Sequence, residues 1–332
     1  NKRNGYETTV GKKWKRSCFK FIKMYKIKFL IIIFFSILNS YSRKKNEFNF
    51  LKEKFFQLQN NPDSALIYVN KIIKLSKPNE LAFGFVTKKY ILTLKDSSYN
   101  EEDYNFHINE NLKKIKPNHK TYDELSIIYN IIGHIEKNKN RLNNSLKHYL
   151  QAKDYAQKTN NLKQLAKIKI SLALNLNELN QFDKAIKECK DVNEIIKKLD
   201  LNNFDYNLLQ NTNINTLGTI YFKKYEFNPK INIKYSDSAI IEFSKIYKNT
   251  KDEIFLAQAS YSLGSLFLIK KQFDNANYHY LKCIDIYTKL EFTDRVNRAK
   301  FNYYLNNFEK GDYKIAKKGF LKILKNKNKE ID

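Results

Sequence analysis

The stretch AQASYSLGSLFLIKKQFDNANYHYLKCIDIYTKL, residues 257–290, decides the fold. Apolar residues recur at helical spacing on both sides of a short polar turn, which predicts two amphipathic helices. Gly264 lies in the middle of the first helix, where glycine costs about 1 kcal/mol relative to alanine. Close approach of the second helix explains this glycine, because Ala276 would face it and Tyr280 would fill the space beside the contact.

The small and aromatic residues of this stretch resemble the pattern of a tetratricopeptide repeat. Its members here are Leu263, Gly264, Phe267, Ala276, Tyr280 and Cys283. Ser260 stands where the family has an aromatic residue, three positions before the leucine. The resemblance implies helix pairs that stack into a superhelix and bind a protein or peptide.

The same spacing recurs along the chain. This recurrence supports a repeat, which a single match would not. The small residues of the successive first helices are Gly133, Ala173, Gly218 and Gly264, and Tyr304 holds this position in the last copy. The facing small residues are Ser145, Ala185, Ala239, Ala276 and Ala316. Nine additional residues separate Gly218 from Ala239, so we expect a longer turn around residues 224–234. The units are longer than the roughly 34 residues of a tetratricopeptide repeat.

A helix pair cannot bury its own apolar face, so neighbouring pairs must stack to form a core. Four prolines and eight glycines in 332 residues agree with a nearly all-helical chain. The sequence therefore predicts an all-α fold, an α-solenoid of about seven antiparallel helix pairs over residues 46–327. Toward the N-terminus, Asn61 and Pro62 mark a helix start, while residues 79–116 form a pair without matched small residues.

Residues 24–42 have the layout of a secretory signal peptide. Met24 is the only methionine, and it precedes two lysines, an apolar run and two serines at small-x-small spacing. The run is shorter than the about 18 residues of a membrane span. We expect export to the periplasm or cell envelope, with a membrane anchor as the alternative if the segment is not cleaved. Residues 1–23 are interpreted as an upstream extension of the reading frame, and residues 328–332 as a polar tail or a truncation point.

The net charge of +27 invites a nucleic-acid hypothesis. Only six of the 61 basic residues are arginine, however, and arginine is the usual reader of base edges. The chain is also rich in Asn, Ile, Tyr and Phe, which indicates compositional bias. Nucleic-acid binding remains an alternative and not the main prediction.

The sequence contains no Gly-rich phosphate loop, no H-E-x-x-H, no paired C-x-x-C and no nucleophile elbow. We therefore predict no enzymatic activity, no cofactor and no metal. His148 and His279 occupy equivalent repeat positions, but such positions point along an array and not at each other. Cys189 and Cys283 fall on apolar positions of second helices and are interpreted as small core residues.

The resemblance implies that the first helices line a concave face. The residues at the corresponding positions are polar and rich in amides: Asn130, His134, Lys137, Asn177, Asn215, Thr219, Tyr261 and Ser265. We predict that this face hydrogen-bonds an extended protein or peptide, and the alternative is a solvated face without a ligand. The lysine and asparagine set that some family members use for a C-terminal carboxylate is absent. A second hypothesis is the sensory region of a longer bacterial regulator, in which a membrane span and a DNA-binding or kinase domain follow the repeats.

Overall fold

The structure is a computed structural model that describes residues 47–58, 61–95, 98–199 and 203–328. Within these ranges every regular element is a helix. No helix in this part of the chain is both long enough and apolar enough to cross a membrane. The predicted signal peptide at 24–42 and the extension at 1–23 lie outside the described residues.

The chain divides into two compact units, residues 1–114 and 115–332. The described part of the first unit contains four helices: α1 (47–57), α2 (Pro62–Ile72), α3 (Pro78–Leu94) and α4 (Glu101–Lys114). Helix α2 begins as predicted, because the Asn61 side chain accepts a hydrogen bond from the Ser64 backbone N–H at 3.1 Å. The Phe83 ring is buried among Phe48, Phe55 and Phe56, with ring centroids 5.7–6.1 Å apart.

Gly84 supplies the small-residue contact of this first unit that the sequence pattern missed. A Cβ atom on Gly84 would lie 2.9 Å from a side-chain carbon of Ile73, just past the end of α2. The close approach therefore joins α3 to the helix before it and not to its own partner α4. A search for small residues at the spacing within a pair could not find it.

The second unit contains ten helices in the part of the chain that the structure describes. We call the first helix of each pair an A helix and the second a B helix. The pairs are α5 (Tyr122–Asn138) with α6 (Leu142–Gln157), α7 (Leu162–Glu178) with α8 (Phe182–Ile196), α9 (Asn203–Phe227) with α10 (Ile233–Asn249), α11 (Glu253–Ile269) with α12 (Phe273–Lys289), and α13 (Thr293–Lys310) with α14 (Tyr313–Asn328). Consecutive helices pack as pairs in both units, which confirms the predicted all-α helical-repeat fold.

The predicted close approach of paired helices at a glycine is found in three pairs, but an aromatic ring of the B helix, and not the facing small residue, lies nearest to the glycine. A Cβ atom would lie 2.8 Å from the ring of Tyr280 at Gly264, 2.6 Å from Tyr149 at Gly133 and 2.9 Å from Phe243 at Gly218. These distances are shorter than real Cβ contacts allow, so each ring lies directly over the backbone of the A helix. Only glycine permits this packing without a shift of the ring.

In the last pair the contact is reversed. Tyr304 stands at the glycine position of α13, and its ring packs over Gly319 of α14, where a Cβ atom would lie 2.2 Å away. The sequence pattern indicates that the small residue is lost in this copy. The structure instead shows that it has moved to the B helix, one position before Phe320.

The nine additional residues of the third pair of this unit do not all lengthen the turn, as the sequence had predicted. Helix α9 continues to Phe227, nine residues past Gly218, whereas α5, α7 and α11 end five residues past the equivalent position. Helix α10 begins six residues before Ala239, and α12 begins only three before Ala276. Both helices are therefore about one turn longer, and only residues 228–232 form the connection.

Candidate functional site: the inner face of the A helices

The A helices are the more closely packed layer of the second unit. Each A helix contacts the next A helix along the chain, while neighbouring B helices share no comparable contact within the described residues. This arrangement places the predicted polar residues on one surface, which we call the A face.

His134 is held inside the A face by two neighbours. Its Nδ1 lies 2.9 Å from the hydroxyl of Tyr149 in α6, and its Nε2 lies 3.3 Å from the hydroxyl of Ser171 in α7. Burial, with a contribution from the charge of Lys137, lowers the pKa of His134 to about 4. A neutral His134 therefore ties three helices together.

Three more of the predicted residues also have partners within the protein. Tyr280 donates to the hydroxyl of Ser265 at 3.2 Å, at the repeat position equivalent to His134. The amide of Asn302 donates to the hydroxyl of Tyr261 at 2.8 Å. Thr219 donates at 2.8 Å to the carbonyl oxygen of Asn215 in its own helix. The bonds of Ser265 and Tyr261 hold their A helices against neighbouring helices, whereas that of Thr219 stays within its own helix.

The other four predicted residues, Asn130, Lys137, Asn177 and Asn215, have side chains with unused hydrogen-bonding capacity. The Oδ1 atoms of Asn130 and Asn177 are buried and have no hydrogen-bond partner among the described residues. Leaving a buried acceptor unpaired costs about 1–3 kcal/mol, so such a group requires an explanation. The side chain of Asn215 is half-buried and makes no hydrogen bond within the described residues.

Lys137 completes this set as a cation in the middle of the A face. Its half-buried ammonium makes no ion pair in the part of the chain that the structure describes. Burial lowers the pKa of Lys137, Glu178 opposes that shift and Lys223 adds to it. Glu178 is itself neutralised, because Lys223 binds its carboxylate at 2.8 Å. The local charge around Lys137 is therefore positive.

Several residues of the A face were not predicted from the sequence: Ser171, Glu178, Lys223 and Asn302. Each lies one residue away from the positions of the A helices at which the candidates were chosen. The polar character of these positions is visible in the sequence. Their pairing across neighbouring A helices depends on helix spacing, which the sequence pattern does not contain.

The cysteines and the two equivalent histidines form no shared site. Cys189 and Cys283 are free and buried, and burial raises the pKa of each thiol to about 12. His148 stacks on Tyr129, and His279 stacks on Phe267. Within the described residues no group of three or more His, Cys, Asp or Glu side chains is placed to hold a metal ion.

No family model matches the sequence, and no curated protein does. Several solved structures share the fold. The apo form of RapI superposes with a TM-score of 0.62 at 13% identity, over 84% of this chain and 74% of that one. A Rap protein in complex with the competence and sporulation factor gives a TM-score of 0.55 at 13% identity, over 84% of this chain and 76% of that one. A signal-transduction ATPase with a tetratricopeptide repeat sensor from Pyrococcus horikoshii gives a TM-score of 0.58 at 14% identity, over 85% of this chain and 42% of that one. These similarities establish a tetratricopeptide-like helical-repeat fold.

Proposed function

We propose that this protein is a non-enzymatic scaffold that binds an extended protein segment along the A face of its second unit. The observation that carries the proposal is the unused hydrogen-bonding capacity of Asn130, Asn177 and Asn215 on three successive A helices. An extended backbone presents N–H and C=O groups that such amides can pair with. The Rap protein solved with the competence and sporulation factor shows that a chain with this fold can form a complex.

The spacing of the helices sets the length of the bound segment. Packed helices lie 8–10 Å apart, so α5, α7 and α9 together span roughly 20 Å. An extended chain rises about 3.3 Å per residue, which makes this distance equal to about six residues. The partner segment is therefore expected to be a short, extended peptide with at least one acceptor group opposite Lys137.

Asn177 is too deeply buried to bind a partner without a rearrangement. The residue is only 1% exposed, so its Oδ1 meets a partner only after a neighbouring side chain moves. Asn215 and Lys137 are half-buried and more accessible. These two residues are therefore the better positions for mutation.

The proposal is tested by selecting heptapeptides from a phage-displayed random library on the full chain. We expect Lys137→Ala and Asn215→Ala each to weaken the binding of enriched peptides about tenfold, the equivalent of one lost hydrogen bond of about 1.4 kcal/mol. Lys187→Ala, at an exposed position of the B helix α8, serves as the control. The affinities follow from fluorescence polarisation with labelled peptides.

Two results would contradict the proposal. One is a selection that enriches no peptide above the background of the empty support. The other is a set of enriched peptides that bind wild type, Lys137→Ala and Asn215→Ala with equal affinity. Unchanged thermal unfolding of both variants would show that the comparison reports binding and not folding.

We also propose that the scaffold is exported, a proposal supported by the layout of residues 24–42. Fusion of residues 24–60 to alkaline phosphatase, which is active only where its disulfides form, should give activity in a bacterial host. Replacing Ile32 and Phe34 of the apolar run with lysine should abolish that activity. Equal activity of both fusions would exclude signal-dependent export.

A further inference from the structure

The extended ends of α9 and α10 protrude from the edge of the second unit. We call residues 227–234 the α9–α10 tip. Because α9 continues four residues past the end of α5, α7 and α11, it reaches about 6 Å further along its axis. The contact between Phe227 and Phe182, with ring centroids 5.6 Å apart, fixes the base of the tip against α8.

The tip carries three large apolar side chains into solvent. Phe227 is 66% exposed, Ile231 is 76% exposed and Ile233 is 58% exposed. Large apolar groups clustered on an exposed projection mark an interaction surface more often than chance. A projecting tip has no groove in which a ligand could bind. It is better suited to insertion into a deformable surface.

Several polar groups of the tip are hydrogen-bonded within the tip or to its base. The side chain of Asn232 donates to the carbonyl oxygen of Lys224 at 2.9 Å, and its backbone N–H donates to the carbonyl oxygen of Asn228 at the same distance. The side chain of Asn228 accepts the N–H of Ile231 at 3.4 Å, and Pro229 has no N–H to satisfy. These internal bonds lower the cost of moving the turn out of water.

The charges around the tip are not balanced. Lys223 and Lys224, at its base, are neutralised by Glu178 and Asp183. Lys230 and Lys234 are exposed and make no ion pair within the described residues. Glu226, which directly precedes the tip, is exposed and makes no ion pair within the described residues. The lysines that flank the apolar side chains therefore leave the tip positive.

We infer that the α9–α10 tip inserts into an anionic lipid surface. Phe227, Ile231 and Ile233 would enter the boundary between headgroups and acyl chains, as the apolar side chains of peripheral proteins do. Lys230 and Lys234 would remain at the level of the headgroups and contact the lipid phosphates, each strengthening binding about fivefold. This site lies at the edge of the unit, and it does not depend on the proposed role of the A face.

The inference is tested with the full chain carrying Trp14→Phe and Phe227→Trp, which leaves one tryptophan, at the tip. The probes are vesicles of phosphatidylcholine with brominated acyl chains, with and without phosphatidylglycerol. We expect quenching of the tryptophan by the anionic vesicles only. Adding Lys230→Glu and Lys234→Glu should weaken vesicle binding at least tenfold.

A matched chain with Trp14→Phe and Tyr278→Trp places the tryptophan at another exposed position of the second unit. It should not be quenched, even where residues 29–38 bind the vesicle. Equal quenching at positions 227 and 278, or none at 227, would overturn the inference. A shift of the Phe227→Trp emission with protein concentration in the absence of lipid would show that a second copy covers the tip instead, and would also overturn it.

Discussion

Tyr280→Ala should lower the free energy of unfolding by about 3–5 kcal/mol, the range for removal of a large buried aromatic side chain. Tyr280 is fully buried, and its ring packs over the backbone at Gly264. The substitution also removes the hydrogen bond to Ser265. Urea denaturation followed by circular dichroism measures the loss as a shift of the unfolding midpoint.

The partner substitution Gly264→Leu should destabilise by about 1–3 kcal/mol, because the new side chain meets the Tyr280 ring. In the double variant, leucine would occupy the cavity that Tyr280→Ala leaves. We therefore expect the double variant to be more stable than the sum of the two single losses predicts, with a coupling energy of at least about 1 kcal/mol.

Asn297→Leu, at an exposed position of α13, is the control for adding leucine to a helix surface. Strictly additive losses at positions 264 and 280 would mean that the two residues do not share one contact. That result would remove the steric explanation of the repeat pattern.

The folded protein should also lose stability in mild acid, which is the second large effect that we expect. The pKa values of His134 and His279 are both lowered to about 4, in each case mainly by burial. Between pH 6.5 and pH 4 the unfolded chain therefore binds protons that the folded chain does not. The free energy of unfolding must fall as the pH drops through this window. At pH 5 we expect each histidine to lower the free energy of unfolding by about 1–2 kcal/mol. This is less than the free energy that corresponds to the full pKa shift, because both histidines are partly exposed.

His279→Phe isolates one of these contributions. His279 stacks on Phe267 and meets the rings of Tyr247 and Tyr278 edge-on at 5.0 and 5.2 Å. Its Nδ1 has no hydrogen-bond partner in the part of the chain that the structure describes. Phenylalanine fits these contacts and cannot be protonated. The variant should lose less stability than wild type between pH 7.5 and pH 5.0.

The control for this pH comparison is Leu281→Phe, at an exposed position of the same helix. It should keep the wild-type difference between the two pH values. Urea midpoints at both pH values give the comparison. Identical pH dependence of wild type and His279→Phe would show that His279 is protonated equally easily in the folded and unfolded chains.

The sequence predicted the helix pairs of the second unit because each depends on a contact between residues close along the chain. A glycine on one helix and an aromatic residue on the next appear at a constant spacing when the turn is constant. Gly133 with Tyr149 and Gly264 with Tyr280 keep that spacing. The predicted position of the small residue was incomplete in the last pair. There the ring belongs to the A helix and the glycine, Gly319, to the B helix.

The candidate site was less accessible to sequence reasoning. A helical stripe identifies which side chains share a surface, and it placed His134, Ser265 and Asn130 together. It does not report which of them already have partners. His134 and Ser265 are hydrogen-bonded to neighbouring helices, while the Asn130 oxygen has no partner among the residues that the structure describes.

The sequence by itself determined the helical fold, its repeats and the glycines at which paired helices of the second unit approach closely, because steric fit between helices joined by a short turn is a local property. Only the tertiary structure decided which A-face groups remain unpaired and that the additional residues near Pro229 build a projecting tip. These features depend on distances between helices some forty residues apart in the chain. No periodicity of small or apolar residues encodes such distances, because they result from the packing of the whole unit.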